Sequence, residues 1–302
     1  MLRRITPKNL ILHSTLLAIS GGTIAPPERP AFANGSATSL TGPNLQRINP
    51  ADHEHIPRPV LAISNDYPPS FEVERHRHRR GQLLYAARGV VAVSTDEGAW
   101  VAPPERAVWI PGGTAHAVRM VGAVSTRSVL IEPEASRGLG DRCRVLAVSP
   151  LLRQLLVAAG EIPLEYDPAG RDGLVMALLL AELQHAPLVP LAVPFPTSPA
   201  LVAKCHAYLE QPTPHDTIED WCIALDMGRR TFTRIFRQET GMSFAQWRQQ
   251  ACLLIALPRL ATGASITTIA LDLGYDSPAA FATMFKRLVG ISPSHYQPSI
   301  AD

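Results

Sequence analysis

The chain has 302 residues, enough for two domains at about 150 each. Its 28 Lys+Arg and 26 Asp+Glu leave a net charge of +2, so it is neither a polybasic coat nor an acidic tail, and 46% hydrophobic residues are too many for a disordered chain. No run of about 18 apolar residues offers a membrane span, and four scattered cysteines (Cys143, Cys205, Cys222, Cys252) without a CxxC pair argue against a disulfide framework or zinc knuckle and for a reducing cytoplasm.

Residues 1–50 are rich in Pro, Gly, Ser, Thr and Asn and read as a disordered or poorly ordered extension. Arg3, Arg4 and Lys8 ahead of residues 10–19, with Ala31-Phe32-Ala33 downstream, make a loose export pattern, but Asn9, His13, Ser14 and Thr15 dilute its apolar stretch. From 55 to 132 the pattern turns to short β-type runs at 60–64, 82–86, 90–95, 99–101, 107–110, 115–120 and 127–131. Turn signals such as Asp96-Glu97-Gly98 and Pro111-Gly112-Gly113 separate them. Strands at this spacing predict a sandwich or barrel over residues 51–134.

The histidines of this region form the first candidate site. His76-x-His78 precedes a strand, Gln82 follows four residues later, and His116 follows Pro111-x-Gly113. Alternation places His76 and His78 on one face of an extended strand. Imidazoles suit Zn, Fe, Mn, Cu or Ni, so His76, His78, Gln82 and His116 are candidates for an effector or a divalent metal. The plainer alternative is that they line a polar cavity. The run from Glu74 to Arg80 reads as a solvated loop in preference to an anion-binding rim, and residues 100–109 as barrel wall.

Past Pro150 the period becomes helical. Leu151, Leu152, Leu155, Leu156 and Ala159 form one apolar stripe, and Leu174, Val175, Leu178, Leu179 and Leu183 another. Residues 135–196 are therefore a helical dimerisation or relay region. It ends in a semi-rigid linker marked by Pro187, Pro190, Pro194, Pro196 and Pro199.

Residues 197–298 contain an internal repeat. Phe232, Phe236, Gly241 and Ser243 recur as Phe281, Phe285, Gly290 and Ser292, and Cys222 and Asp226 correspond to Ala270 and Gly274. Both copies read as helix, turn, helix. A small residue sits where the helices cross, a residue tolerant of positive φ sits in the turn, and phenylalanines face inward. The free face of the first copy carries Arg229, Arg230, Thr231, Thr233, Arg234 and Arg237 with no acid among them, which suits phosphate and guanine contact. The second offers Ser277, Ala279, Ala280 and Thr283, with Lys286 and Arg287 behind. The segment as a whole has nine Lys/Arg against eight Asp/Glu, so its charge alone does not mark it as a nucleic-acid binder.

These residues resemble the AraC/XylS family of bacterial transcription regulators. The likeness runs through Arg230-Thr231-Phe232-Thr233-Arg234-Ile235-Phe236, Glu239-Thr240-Gly241-Met242-Ser243, Ile269-Ala270-Leu271-Asp272-Leu273-Gly274-Tyr275 and Gly290-Ile291-Ser292-Pro293. It implies two helix-turn-helix units on a long helix, reading adjacent major grooves, with base-facing positions at Arg230, Thr233 and Arg234 and at Ala279, Ala280 and Thr283. Three departures stand out: Asp226 where Gly is common, Gly228 where a Ser would cap the helix, and Pro258 within the joining helix. The histidine motifs resemble those of cupins, with Gln82 in place of the usual Glu and Met120 in place of a usual Asn.

The expected fold is α+β in two domains, an N-terminal cupin-like β-barrel followed by an all-α domain with two helix-turn-helix units. The expected function is a cytoplasmic, non-enzymatic regulator that binds double-stranded promoter DNA and responds to a small-molecule effector. A homodimer and RNA polymerase are expected partners, and activation and repression are equally open. The alternatives are a metal-dependent cupin enzyme with a vestigial DNA domain and an exported sugar-binding cupin.

Overall fold

The computed structural model describes residues 50–210, 212 and 216–296, so the N-terminal extension and its export pattern lie outside the described residues but for Pro50. One antiparallel sheet contains β1 (Val60–Tyr67), β2 (Glu72–His76), β3 (Gly81–Thr95), β4 (Gly98–Ala102), β5 (Arg106–Ile110), β6 (His116–Ile131), β7 (Arg144–Ala147), β8 (Leu188–Val189) and β9 (Ala192–Pro194). Its spine is β3 against β6, in register from Gly81↔Ile131 to Ser94↔Ala117, with shifts between Ala86 and Val90. Beside that irregularity Gly89 and Gly122 take φ of 77° and 72°, which L side chains resist. Bulges bend strands. Each long strand therefore serves two stretches of sheet: β3 pairs β5 and then β4, and β6 pairs β2 and then β1. The sequence runs 82–86 and 90–95, and likewise 115–120 and 127–131, are halves of single bent strands.

Two further features differ from the sequence reading. The sheet does not end at 134, because β7 joins β5. The proline-rich stretch, expected as a semi-rigid linker, joins the sheet: β8 pairs β7 at Val145↔Val189, and β9 pairs β4 from Gly98↔Pro194 to Trp100↔Ala192. Pro190 lies between these short strands and Pro194 at the end of β9, where a missing N–H costs the ladder little.

The helices α1 (Pro150–Ala159) and α2 (Arg171–His185) follow β7. Ser149 caps α1 by accepting from Leu152 N at 3.0 Å. Leu152, Leu155, Leu156 and Ala159 of α1 and Met176, Leu179 and Leu183 of α2 pack in one core with Val60, Leu83, Trp109 and Val129 of the sheet. Of the two apolar stripes, Leu151, Leu174 and Leu178 are exposed, at 49%, 68% and 46%.

The remaining helices are α3 (Pro199–Glu210), α4 (Ile218–Ala224), α5 (Arg229–Thr240), α6 (Phe244–Ala261), α7 (Ile266–Asp272) and α8 (Pro278–Val289). The repeat is α4–α5 and α7–α8, joined by α6. Asp226 and Gly274 hold the two turns at φ 48° and 76°, as the pattern requires. Phe232, Phe236, Phe281 and Phe285 are fully buried. Gly241 and Gly290 end α5 and α8 in the left-handed conformation. The joining helix α6 continues through Pro258 and ends one turn later. Sheet and helices share cores: Ala99, Val193 and Phe195 pack with Trp221, Phe232 and Trp247, and Trp247 Nε1 donates to Pro194 O at 2.8 Å.

Candidate nucleic-acid interface and ligand site

On α5, Arg230, Thr233, Arg234 and Arg237 follow i, i+3, i+4, i+7 spacing and so share a stripe. All four are exposed, as are Arg229 and Thr231, while Phe232 and Phe236 are buried. The stripe lines an open concavity of about 840 Å3 together with Arg229 and Gln238. Its members differ in freedom. Arg229 is paired with Glu219, and Arg234 Nη1 lies 3.5 Å from Gln238 Oε1, too far to fix it. Gly228 offers α5 no capping oxygen.

The second unit presents a smaller face. Ala279, Ala280 and Thr283 are exposed on α8, and the Thr283 hydroxyl donates to Ala279 O at 2.9 Å. Ser277 accepts from Ala280 N at 3.2 Å, so its side chain caps α8. Lys286 is exposed, and Arg287 donates to Gln249 Oε1 at 3.0 Å. Between the units runs a crevice of about 710 Å3 lined by Arg229, Thr233, Arg248, Gln249, Leu273 and Tyr275 among others. The sequence reading missed Arg248, whose Nη1 donates to Asp216 O at 2.8 Å. It also missed Glu239, which accepts from Thr197 N, Ser198 N and Ser198 Oγ at 2.9, 3.0 and 2.7 Å and ties the start of α3 to α5. Pairing of a lone acid with a segment 41 residues away leaves no local pattern.

The second candidate site is in the sheet. His76 on β2 stands opposite His116 on β6. His78 lies beyond the end of β2, so the expected extended-strand alternation does not hold. The register breaks between Val73 and His76, and Gly113 N donates to His78 O at 2.8 Å, pinning the loop inward. The three rings gather all the same, with centroids 4.3 Å apart for His76–His116, 5.2 Å for His78–His116 and 5.7 Å for His76–His78. One ring nitrogen of each lies within 4.8 Å of the others.

Their hydrogen bonds fix which nitrogen that is. His76 Nδ1 faces Glu74 O at 2.8 Å, His78 Nδ1 faces Arg80 O at 2.7 Å, and His116 Nδ1 faces Thr114 O at 2.8 Å. A carbonyl oxygen only accepts, so each Nδ1 is the donor and, in a neutral ring, each Nε2 keeps its lone pair. Burial holds His78 below the ordinary histidine value and His116 down at about 4, which keeps both rings neutral at pH 7. His116 Nε2 is buried without a partner. His78 Nε2 lies 3.2 Å from Gln82 Oε1, while Gln82 Nε2 donates to Ser128 Oγ at 3.1 Å. Nε2 lone pairs on His76 and His116, backed by carbonyl-anchored Nδ1–H groups, are the arrangement that ligating histidines adopt, and His78 joins them once the Gln82 amide oxygen, which only accepts, turns from its Nε2. The residues present therefore fit a divalent metal, with Gln82 beside it as a neutral neighbour. Met120 is buried in the wall of the adjoining cavity. The basic run makes no anion rim: Arg75 pairs with Asp96 at 2.5 Å, and Arg79 and the buried Arg80 both pair with Glu132.

Comparison with known proteins places the chain in a family. A family model described as an AraC-like ligand binding domain matches residues 59–183, and one described as a helix-turn-helix domain matches residues 221–299. The HTH-type transcriptional regulator NimR of Escherichia coli is 33% identical over 221 residues, covering 73% of this chain and 81% of NimR. The chain belongs to the AraC family of helix-turn-helix transcription regulators. An uncharacterized HTH-type regulator of Haemophilus influenzae is 36% identical over 96 residues, 32% of each chain. Among solved structures, ToxT from Vibrio cholerae is 11% identical with a TM-score of 0.34, covering 79% of this chain and 98% of that one. As an AraC-family member the chain is a DNA-binding regulator with a ligand-binding domain and not an enzyme, so the enzyme alternative falls. No helix among the described residues is long and apolar enough to cross a membrane.

Proposed function

We propose that this AraC-family regulator reads promoter DNA with Arg230, Thr233 and Arg234 in one major groove and places Ala279, Ala280 and Thr283 in the next. Arg229, Thr231, Arg237, Ser277, Lys286 and Arg287 meet the backbone around these positions. The N-terminal sheet takes its effector at His76, His78, Gln82 and His116. Two chains associate through the apolar side of α1 and α2 left in solvent, where Leu151, Val157, Leu174 and Leu178 are exposed. The chain works in the cytoplasm, with the chromosome, and RNA polymerase is a partner at the promoter.

One observation carries the DNA reading. A duplicated helix-turn-helix buries the phenylalanines of α5 and turns its acid-free arginine stripe outward. A charged face alone is usually just solvated, but a second unit on the same joining helix is what a reader of two successive grooves needs. The test is fluorescence anisotropy of the full chain on DNA from upstream of its own gene, against scrambled DNA of equal composition, at near-physiological salt. The reading expects at least ~1000-fold preference; equal binding to both overturns it.

A further inference from the structure

We propose that the effector is a divalent transition-metal ion, held by Nε2 of His76, His78 and His116, and that its occupancy is the signal passed to the DNA-binding helices. The inference rests on the regulator reading above and names the ligand class of its sheet site.

The space beside His76 suits an ion. The cavity beside His76, lined also by Tyr67, Val73, Gln82, Met120 and Ser128 among others, holds about 40 Å3. One water occupies about 30 Å3 of liquid, whereas organic ligands use pockets of about 300–1,000 Å3. An ion with a bound water fits there. The donors agree. Three nitrogens converge, each Nδ1 is taken by a carbonyl, and the fully buried His116 Nε2 has no protein partner. Three imidazoles and no carboxylate favour a borderline ion such as Zn2+, Ni2+ or Co2+ over Mg2+ or Ca2+.

The same geometry supplies a route to α6. Metal–imidazole bonds of about 2.1 Å set ligand atoms roughly 3.4 Å apart in a tetrahedral site. The nitrogens here span up to 4.8 Å, so binding draws the rings together by up to about 1.4 Å. His116 is fully buried at the start of β6 and His78 is pinned by Gly113, but half-buried His76 ends the five-residue β2, which pairs with β6 across a register break. It is the ring free to move. The neighbouring residues of β2, Glu72 to Arg75, line a cleft of about 440 Å3 whose other walls include Ser94, Arg119 and Leu254 of α6. A pull on His76 thus shifts a strand facing the helix on which both recognition units are mounted.

The experiment uses the untagged full chain, stripped with chelator and dialysed. Zn2+ or Co2+ alone is then titrated, bound metal is counted per chain after gel filtration, and DNA affinity is read with and without the ion. The expected result is one ion per chain, Co2+ bands of a nitrogen-ligated site, more than tenfold weaker binding in His76→Gln and in His116→Gln, and at least a fivefold change in DNA affinity on loading. His76 is partly exposed, so His76→Gln keeps the test sound if His116→Gln fails to fold, and its melting curve is compared with that of the parent. Less than a fifth of an ion per chain, or unchanged metal affinity in a folded His76→Gln, overturns the site. A bound ion that leaves DNA affinity unchanged overturns the signal. Failure of both loaded and stripped protein to prefer its DNA sinks the regulator reading, and the signal with it, while the ion count still decides the site.

Discussion

Replacing Arg234 by Ala should separate base reading from phosphate attraction. Arg234 is exposed, and its nearest partner, Gln238 Oε1, is 3.5 Å away, so little holds the side chain in the free protein. Truncation should therefore leave folding within about 0.5 kcal/mol of the parent. On DNA a bidentate Arg–guanine contact is worth ~1–3 kcal/mol against the wrong base, about 5–150-fold at one position. Arg229→Ala should lose less, because Arg229 must first leave Glu219. Arg237→Ala, at the far end of the stripe, should weaken all sequences alike and flatten the log K against log salt slope by ~0.9. The assay is anisotropy over a panel of sites with every single base-pair change, repeated at several salt concentrations, with thermal melts as the folding control. Equal losses across the whole panel for Arg234→Ala and Arg237→Ala would refute the division of roles.

Three further outcomes follow from the packing and the caps. Phe236→Ala removes a fully buried ring from the cluster of Trp221, Phe232, Phe244 and Trp247; it should cost ~3–5 kcal/mol and abolish DNA binding, and a melt within 2 °C (about half a kcal/mol) of the parent would contradict this core. Gly228→Ser puts a capping oxygen at the start of α5 where a new Cβ meets nothing within 4 Å, so it should raise the melting temperature by about 1 °C; a lower one would count against the capping account. Burial pushes the Glu239 carboxyl up, but hydrogen bonds from Ser198 and Thr197 more than offset it and leave it below its ordinary 4.5. A depressed folded value means that the clamp stabilises fully above that value and is lost as pH falls through the lower one. The melting difference between parent and Glu239→Gln should therefore be full at neutral pH and shrink below 4.5; a difference that grows in acid would show the sign to be wrong.

The helical half was the more legible in sequence. Its demands are local: Asp226 and Gly274 must tolerate positive φ, Cys222 and Ala270 must be small at a crossing, and Phe232/Phe236 and Phe281/Phe285 must face inward at helical spacing. The sheet was legible only in part, because its pairings are distant. β9 is three residues among prolines, and nothing near Ala192–Pro194 announces that Gly98–Trp100 lies beside it. Bends at Gly89 and Gly122 made two long strands read as four, and β2 escaped notice because Glu72–His76 is polar and mostly exposed. The gathering of His76, His78 and His116 was readable from motif spacing, though not its means: a register pair and a pinned loop replace the simple alternation. Neither the small cavity nor the carbonyl anchors of the rings leave any mark in sequence.

Hydroxyl-radical footprinting of the full chain on the DNA upstream of its own gene tests the central claim most directly. Two tandem readers on one joining helix should protect two patches on one face of the duplex, about 10–10.5 base pairs apart, and Arg230→Ala with Arg234→Ala should erase the patch under α5. A single patch, or patches on opposite faces, would mean that α5 and α8 do not read one duplex together.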